Sequence, residues 1–245
     1  QEMDARAYRF STAWPRIQPL GSGRFNAEGL QFFGRVNASI SHELKNILAI
    51  ISETSGFLND LTDLARQGEP LNLSLLGNCN QSIAEEIQRG FTTIKKMNRF
   101  AHSVDVPVTE IDLMDTLSLT AQLAGFLSTT STVRINADRK GVGRILTSPF
   151  LLQNLIYRIL CLASETAGPD GEISILVSSD TDSGDLMRIH SPVPGTWNAF
   201  PTPKIEEAAR ILGIEMSLTD DPEQLQLKIP YVSNQIVALA KVLQL

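Results

Sequence analysis

Between residues 34 and 104, apolar or small side chains recur in steps of four and three: Ile40, Leu44, Ile47, Ile51, Thr54, Leu58, Leu61 and Ala65. This is a heptad seam, the pattern of a long helix packed along partner helices. The stretch "RQGEPLN", residues 66–72, interrupts it with Gly68 and Pro70, which break helical runs. A second seam follows through Ile83, Ile87, Gly90, Ile94, Met97, Ala101 and Val104. The pattern predicts a hairpin of two amphipathic helices. Such a hairpin cannot bury both stripes within itself, so pairing with a second copy into a homodimeric four-helix bundle is expected. A monomeric hairpin docked on the rest of the chain is the alternative.

After residue 104 the period changes. "VRINAD", "EISILVSS", "LMRIHS", "IEMSLTD" and "LQLKIPYV" read as strands. Helices fit between them at 112–127, 149–165 and 203–212, with a last one near 233–243. Helices interspersed with hairpin-connected strands predict an α/β sandwich with helices on one face of a mixed sheet. The expected fold is therefore α+β, with a hairpin domain at 34–104 and an α/β domain at 105–245.

Composition narrows the function classes. The 245 residues are 42% hydrophobic and 20% charged, ordinary for a globular protein. A net charge of −6 and a pI near 5.1 argue against a general nucleic-acid binder. The two cysteines, Cys79 and Cys161, are far apart, so neither a disulfide framework nor a zinc site is expected, and a reducing cytoplasm fits best. No apolar run approaches the roughly 20 residues of a membrane-spanning helix.

Candidate chemistry centres on His42. With Ile40 and Leu44 on the seam, His42 lies about 200° round from Ile40 at about 100° per residue, facing solvent. Neutral imidazole is nucleophilic and titrates near neutrality, which suits reversible phosphorylation. Glu43 is placed to accept the ring's other proton, and Asn46, one turn on, to orient a water or the phosphoryl group. Folding the hairpin about residue 70 brings Lys95, Lys96 and Arg99 beside His42, where they would stabilise phosphoryl charge or attract an acidic partner. His102 and His190 are read as structural.

"SHELKN" resembles the His-Glu-x-x-Asn pattern of dimerisation and phosphotransfer domains in histidine kinases, with Ile47 where that family often has Pro. The resemblance implies a phosphoacceptor role for His42, receiver domains of response regulators as partners, and Mg²⁺ on the partner receiver. It also implies a nucleotide site, and the residues depart from one. In the family the helix after the second strand reads Asn-Leu-x-x-Asn-Ala, its second Asn ligating Mg²⁺. Here "QNLIYRILCLASE" keeps Asn154 and Leu155 but has Arg158 at the magnesium position, and a guanidinium offers no oxygen ligand. The Asp-x-Gly-x-Gly block is matched by "IHSPVPGTW", and the last glycine-rich block by "NAFPTPKIEEAARILG". No cofactor is therefore expected on this chain. Residues 34–231 resemble histidine phosphotransferases of the ChpT kind, a histidine-bearing bundle followed by a degenerate kinase-like ATPase domain. That implies a cytoplasmic phosphotransferase relaying phosphoryl groups between receiver aspartates. The rivals are a divergent kinase, a response-regulator phosphatase, and a non-catalytic receiver-binding scaffold.

Residues 1–33 stand apart. "AYRFSTAWPRIQPLGSGRFNAEGLQFF" resembles an early strand-loop-helix of family 1 β-glucosidases. Such enzymes need two carboxylates flanking the scissile bond, carried in Asn-Glu-Pro and Glu-Asn-Gly motifs, and neither tripeptide occurs in the chain. One βα unit cannot close an eight-stranded barrel of about 250 residues. The segment is expected to be no functional domain, with a short strand and loop around Trp14, Pro15 and Pro19.

Overall fold

The computed structural model describes residues 23–127, 131–137, 142–168, 171–181, 184–219 and 223–242. The strand and loop expected around Trp14 lie outside these residues. The hairpin is formed by α1 (Gly23–Arg66) and α2 (Leu73–Ala101). Gly68 turns the chain with φ +96°, a left-handed conformation that costs glycine little. Asn72 then caps α2, its side-chain oxygen accepting from the Leu75 N–H at 3.1 Å. A boundary at residue 33 is not seen, because α1 is one helix of 44 residues from Gly23. The helical hairpin thus begins earlier than its heptad seam.

On α1 the seam faces inward as the spacing predicts: Ile40 and Ile47 are buried, and Leu44, Ile51, Leu58 and Leu61 are half-buried. On α2 the buried line is rotated. Cys79, Thr93 and Phe100 are buried and Ile83, Gly90 and Met97 half-buried, whereas Ile87, Ile94 and Val104 of the expected seam are exposed. The aromatic residues set this rotation. The Phe100 ring stacks on Phe33 at 5.3 Å and meets Phe32 edge-on at 5.4 Å, contacts each worth about 0.5–1.5 kcal/mol beyond burial. Spacing alone carries no such constraint.

A 3₁₀ turn, His102–Val104, leads into β1 (Thr109–Asp112), α3 (Leu113–Leu127), β2 (Ser131–Ala137) and β3 (Arg144–Thr147). Then come α4 (Pro149–Ala167), β4 (Gly171–Thr181), β5 (Gly184–His190), α5 (Pro203–Leu212), β6 (Glu215–Leu218), β7 (Gln224–Pro230) and α6 (Asn234–Val242). Five strands make a mixed sheet in the order β2-β4-β5-β7-β6, with only β2 and β4 parallel. All five expected strands and all four expected helices of this half are present. The additional strands, β1 and β3, pair antiparallel as a separate two-stranded sheet. Four residues each are too few for alternation to register.

α4 explains how the halves join. Leu152, Leu155, Ile156, Ile159 and Leu160 are all buried in the core of the sandwich. Its other side meets α1: Phe32 packs on Phe150 and Tyr157 with ring centroids 5.5 and 4.9 Å apart. An α-helix apolar on nearly all sides is one covered on all sides. Phe32, from the glycosidase-like stretch, is therefore part of the core. Among the described residues no helix is long and apolar enough to cross a membrane.

Candidate functional site

His42 is exposed on the middle of α1, as its heptad position predicts. The Asn46 side-chain amide, one turn on, lies 3.4 Å from Nδ1 of the ring. The nearer amide atom is the Asn46 nitrogen, which donates to Nδ1, the arrangement that leaves the ring proton on Nε2. The i, i+4 spacing on one helical face makes this pairing possible.

Glu43 is engaged elsewhere than expected. Its carboxylate turns toward α2 and accepts from Arg89, at 2.9 Å from Nε and 2.5 Å from a terminal nitrogen. Arg89 also bridges to Glu86 at 3.2 Å. The hydrogen bond to Glu43 raises the Arg89 pKa above its ordinary value, against partial desolvation. Glu43 sits one residue from His42 and so projects about 100° away from it. It acts in the structure as half of an inter-helix ion pair.

The same pairs fix the hairpin register. Glu43 faces Arg89, Ile47 faces Gly90, and Phe32 and Phe33 meet Phe100. His42 therefore lies opposite α2 between Arg89 and Lys95, not opposite residue 98. Of the expected basic group, Lys95 is exposed and nearest this level, and Lys96 is half-buried one residue on. Arg99 lies roughly 10 Å farther along the axis at 1.5 Å per residue, with a terminal nitrogen 3.7 Å from the Asp115 carboxylate of α3. The hinge-based estimate failed because the two helices are not symmetric about the loop. The missed cation, Arg89, was visible only as an i, i+3 partner of Glu86. His102 closes α2 as its C-cap and contacts the Asp105 carboxylate at 2.6 Å, and His190 is in β5.

Arg158, at the position where the resemblance leads one to expect a magnesium ligand, donates from Nε to the Asn154 Oδ1 at 2.7 Å. The one amide oxygen of that motif thus already holds a cation. Among the described residues no group of three His, Cys, Asp or Glu side chains could hold a metal ion.

Comparison with known proteins separates the two ends of the chain. The sequence pattern of Glycosyl hydrolase family 1 matches residues 1–51, past His42 and farther than the expected resemblance to residue 33. A 1,4-beta-D-glucan glucohydrolase of Thermotoga neapolitana is 42% identical over 52 residues, 21% of this chain and 12% of that protein. A beta-glucosidase of an Agrobacterium species is 56% identical over 36 residues, 15% of this chain and 8% of that protein. The chain thus spans about an eighth or less of the length of these relatives. Among solved structures, the catalytic domain of histidine kinase ThkA is similar at TM-score 0.42 and 14% identity, over 53% of this chain and 100% of that one. Histidine kinase AdeS of Acinetobacter baumannii is similar at TM-score 0.42 and 9% identity, over 78% and 98%. A bacterial phosphotransferase is similar at TM-score 0.41 and 12% identity, over 86% and 98%. The fold described above rests on the chain's own elements.

Proposed function

We propose that this protein is a two-component signalling phosphotransferase that carries a phosphoryl group on His42. The observation that supports the reading most is an exposed imidazole whose Nδ1 is held by Asn46, on a helix whose other face is occupied by packing. In the proposed step, the imidazole gives up its Nε2 proton to solvent and Nε2 forms the N–P bond as the acyl phosphate O–P bond of a receiver aspartate breaks. The aspartate leaves as carboxylate, and a Mg²⁺ ion held by the receiver would supply charge screening there. The reverse step passes the group to another receiver. No nucleotide takes part, consistent with the Arg158–Asn154 contact. The hairpin supplies position and charge, which is what phosphoryl transfer asks of a protein. The α1–α2 hairpin pairs with a second copy, and Lys95 and Lys96 draw the acidic receiver toward His42.

The test is incubation with phosphorylated receiver domains and detection of acid-labile phosphohistidine, alongside calorimetry with ATP and magnesium. Transfer lost in His42→Gln, with no heat from ATP, is the expected result. Receiver dephosphorylation that needs Asn46 but not His42 would replace this reading with a phosphatase. Partner binding without any phosphohistidine would leave a scaffold.

A further inference from the structure

A cleft of about 140 Å³ opens where the hairpin meets the sandwich. Three cations line it, each from a different helix: Arg35 of α1, Arg158 of α4 and Lys204 of α5. Gln31, the buried rings of Phe32 and Tyr157 and the buried Asn154 amide complete the lining, and no lining residue is acidic. In a chain of net charge −6 this concentration of positive charge runs against the bulk. Lys204 occupies the first turn of α5, which also carries Glu206, where the helix dipole presents positive potential. Burial pushes the Tyr157 hydroxyl and Cys161 thiol upward in pKa, and Arg35 and Arg158 both pull against it. Arg35 and Arg158 line this one cleft although their helices belong to different halves of the fold. Asn154 anchors the Arg158 guanidinium through Nε at 2.7 Å, fixing its plane.

We propose that this cleft binds a small phosphate-type oxyanion between Arg35, Arg158 and Lys204, and that the bound anion fastens the hairpin to the sandwich. Guanidinium and ammonium groups suit a tetrahedral oxyanion through charge-assisted hydrogen bonds. The volume is well below the roughly 300–1,000 Å³ of sites that enclose drug-sized ligands. It fits a phosphate group and leaves the base and sugar of a nucleotide outside. The site is separate from the phosphoacceptor and does not depend on the role given to His42.

Inorganic phosphate is titrated into the full chain at low salt, followed by amide chemical shifts and thermal melts. Chloride at matched ionic strength serves as the control. Saturable binding is expected, with a melting temperature that rises with phosphate as linkage requires. Arg35→Gln and Lys204→Gln, both at exposed positions, should each weaken binding roughly tenfold, the scale of one charge-assisted hydrogen bond. His42→Gln should leave it unchanged. A parallel titration with AMP names the source: tighter binding than phosphate with the same variant dependence points to a phosphomonoester, weaker binding to the free anion. Absence of saturable binding at millimolar phosphate would overturn the proposal. So would binding that both charge-removing variants leave intact.

Discussion

His42 contributes little packing from the exposed side of α1, and surface substitutions away from caps and cores stay within about 0.5 kcal/mol. His42→Gln should therefore abolish phosphohistidine while leaving helicity and melting temperature near those of the parent. A time course with a phosphorylated receiver, read beside a thermal melt, checks both halves; phosphate retained on the variant would remove the proposed mechanism. Asp185 makes a different residue-scale test. It is buried in β5 and accepts from the Gly143 N–H and the Tyr231 hydroxyl, each at 3.1 Å. Burial raises its pKa, against those two hydrogen bonds. A carboxyl with a raised folded pKa binds its proton more readily folded than unfolded. That stabilisation is complete below the ordinary carboxylate range and is lost as pH rises through the raised value. Asp185→Asn removes this dependence, so the variant should gain stability relative to the parent as pH climbs from about 3.5 to about 7. Denaturant melts across that range decide it, and a flat or opposite trend would refute the role assigned to burial.

Among the elements, α1 carries the most weight for its sequence. Its first turns bring Phe32 into a cluster with Phe100, Phe150 and Tyr157, and Phe32 is 3% exposed. Phe32→Ala should cost about 3–5 kcal/mol, the usual loss for a buried phenylalanine. Urea unfolding would measure it, and a loss under about 1 kcal/mol would mean the hairpin holds without that contact. The stretch that resembles a glycosidase helix is thus expected to be structural here, whatever its ancestry. An amphipathic helix from one fold can serve another, since the core reads apolar spacing and volume and not origin.

At the scale of the whole molecule, the hairpin leaves an apolar stripe uncovered. Phe91 is 64% exposed, with Ile87 and Ile94 one turn to either side also exposed on α2, and Leu48 exposed on α1. The inner seam stays half-open as well, at Ile51, Leu58 and Leu61. A second hairpin related by a two-fold axis would cover both, as in a four-helix bundle. Phe91→Glu should split the dimer and leave each hairpin folded, because the substituted position is exposed in the single chain. Light scattering at micromolar concentration reads the mass; a parent that is already monomeric would contradict the bundle. Receiver docking should weaken in a Lys95→Ala, Lys96→Ala double variant, and the difference should shrink with salt as exposed charges are screened over roughly 8–10 Å. Binding measured at two salt concentrations tests that.

Periodicity made the hairpin, the five-stranded sheet and the outward face of His42 legible in the sequence, because seams and alternation are local properties of helix and strand. The placing of Arg158 one helical turn from Asn154 was equally legible, since i, i+4 neighbours on a helix share a face. Rotation and register were not. Which face of α2 turns inward depends on Phe100 meeting Phe32 and Phe33, residues far away in the chain. That register decides that Glu43 pairs with Arg89 and that Arg99 reaches Asp115. The cleft of Arg35, Arg158 and Lys204 belongs to the same level, being built from three helices that only the packed core brings together. Local patterns follow from bonded geometry along the chain. Side-chain partners between helices follow from how bulky residues interdigitate once the chain has folded.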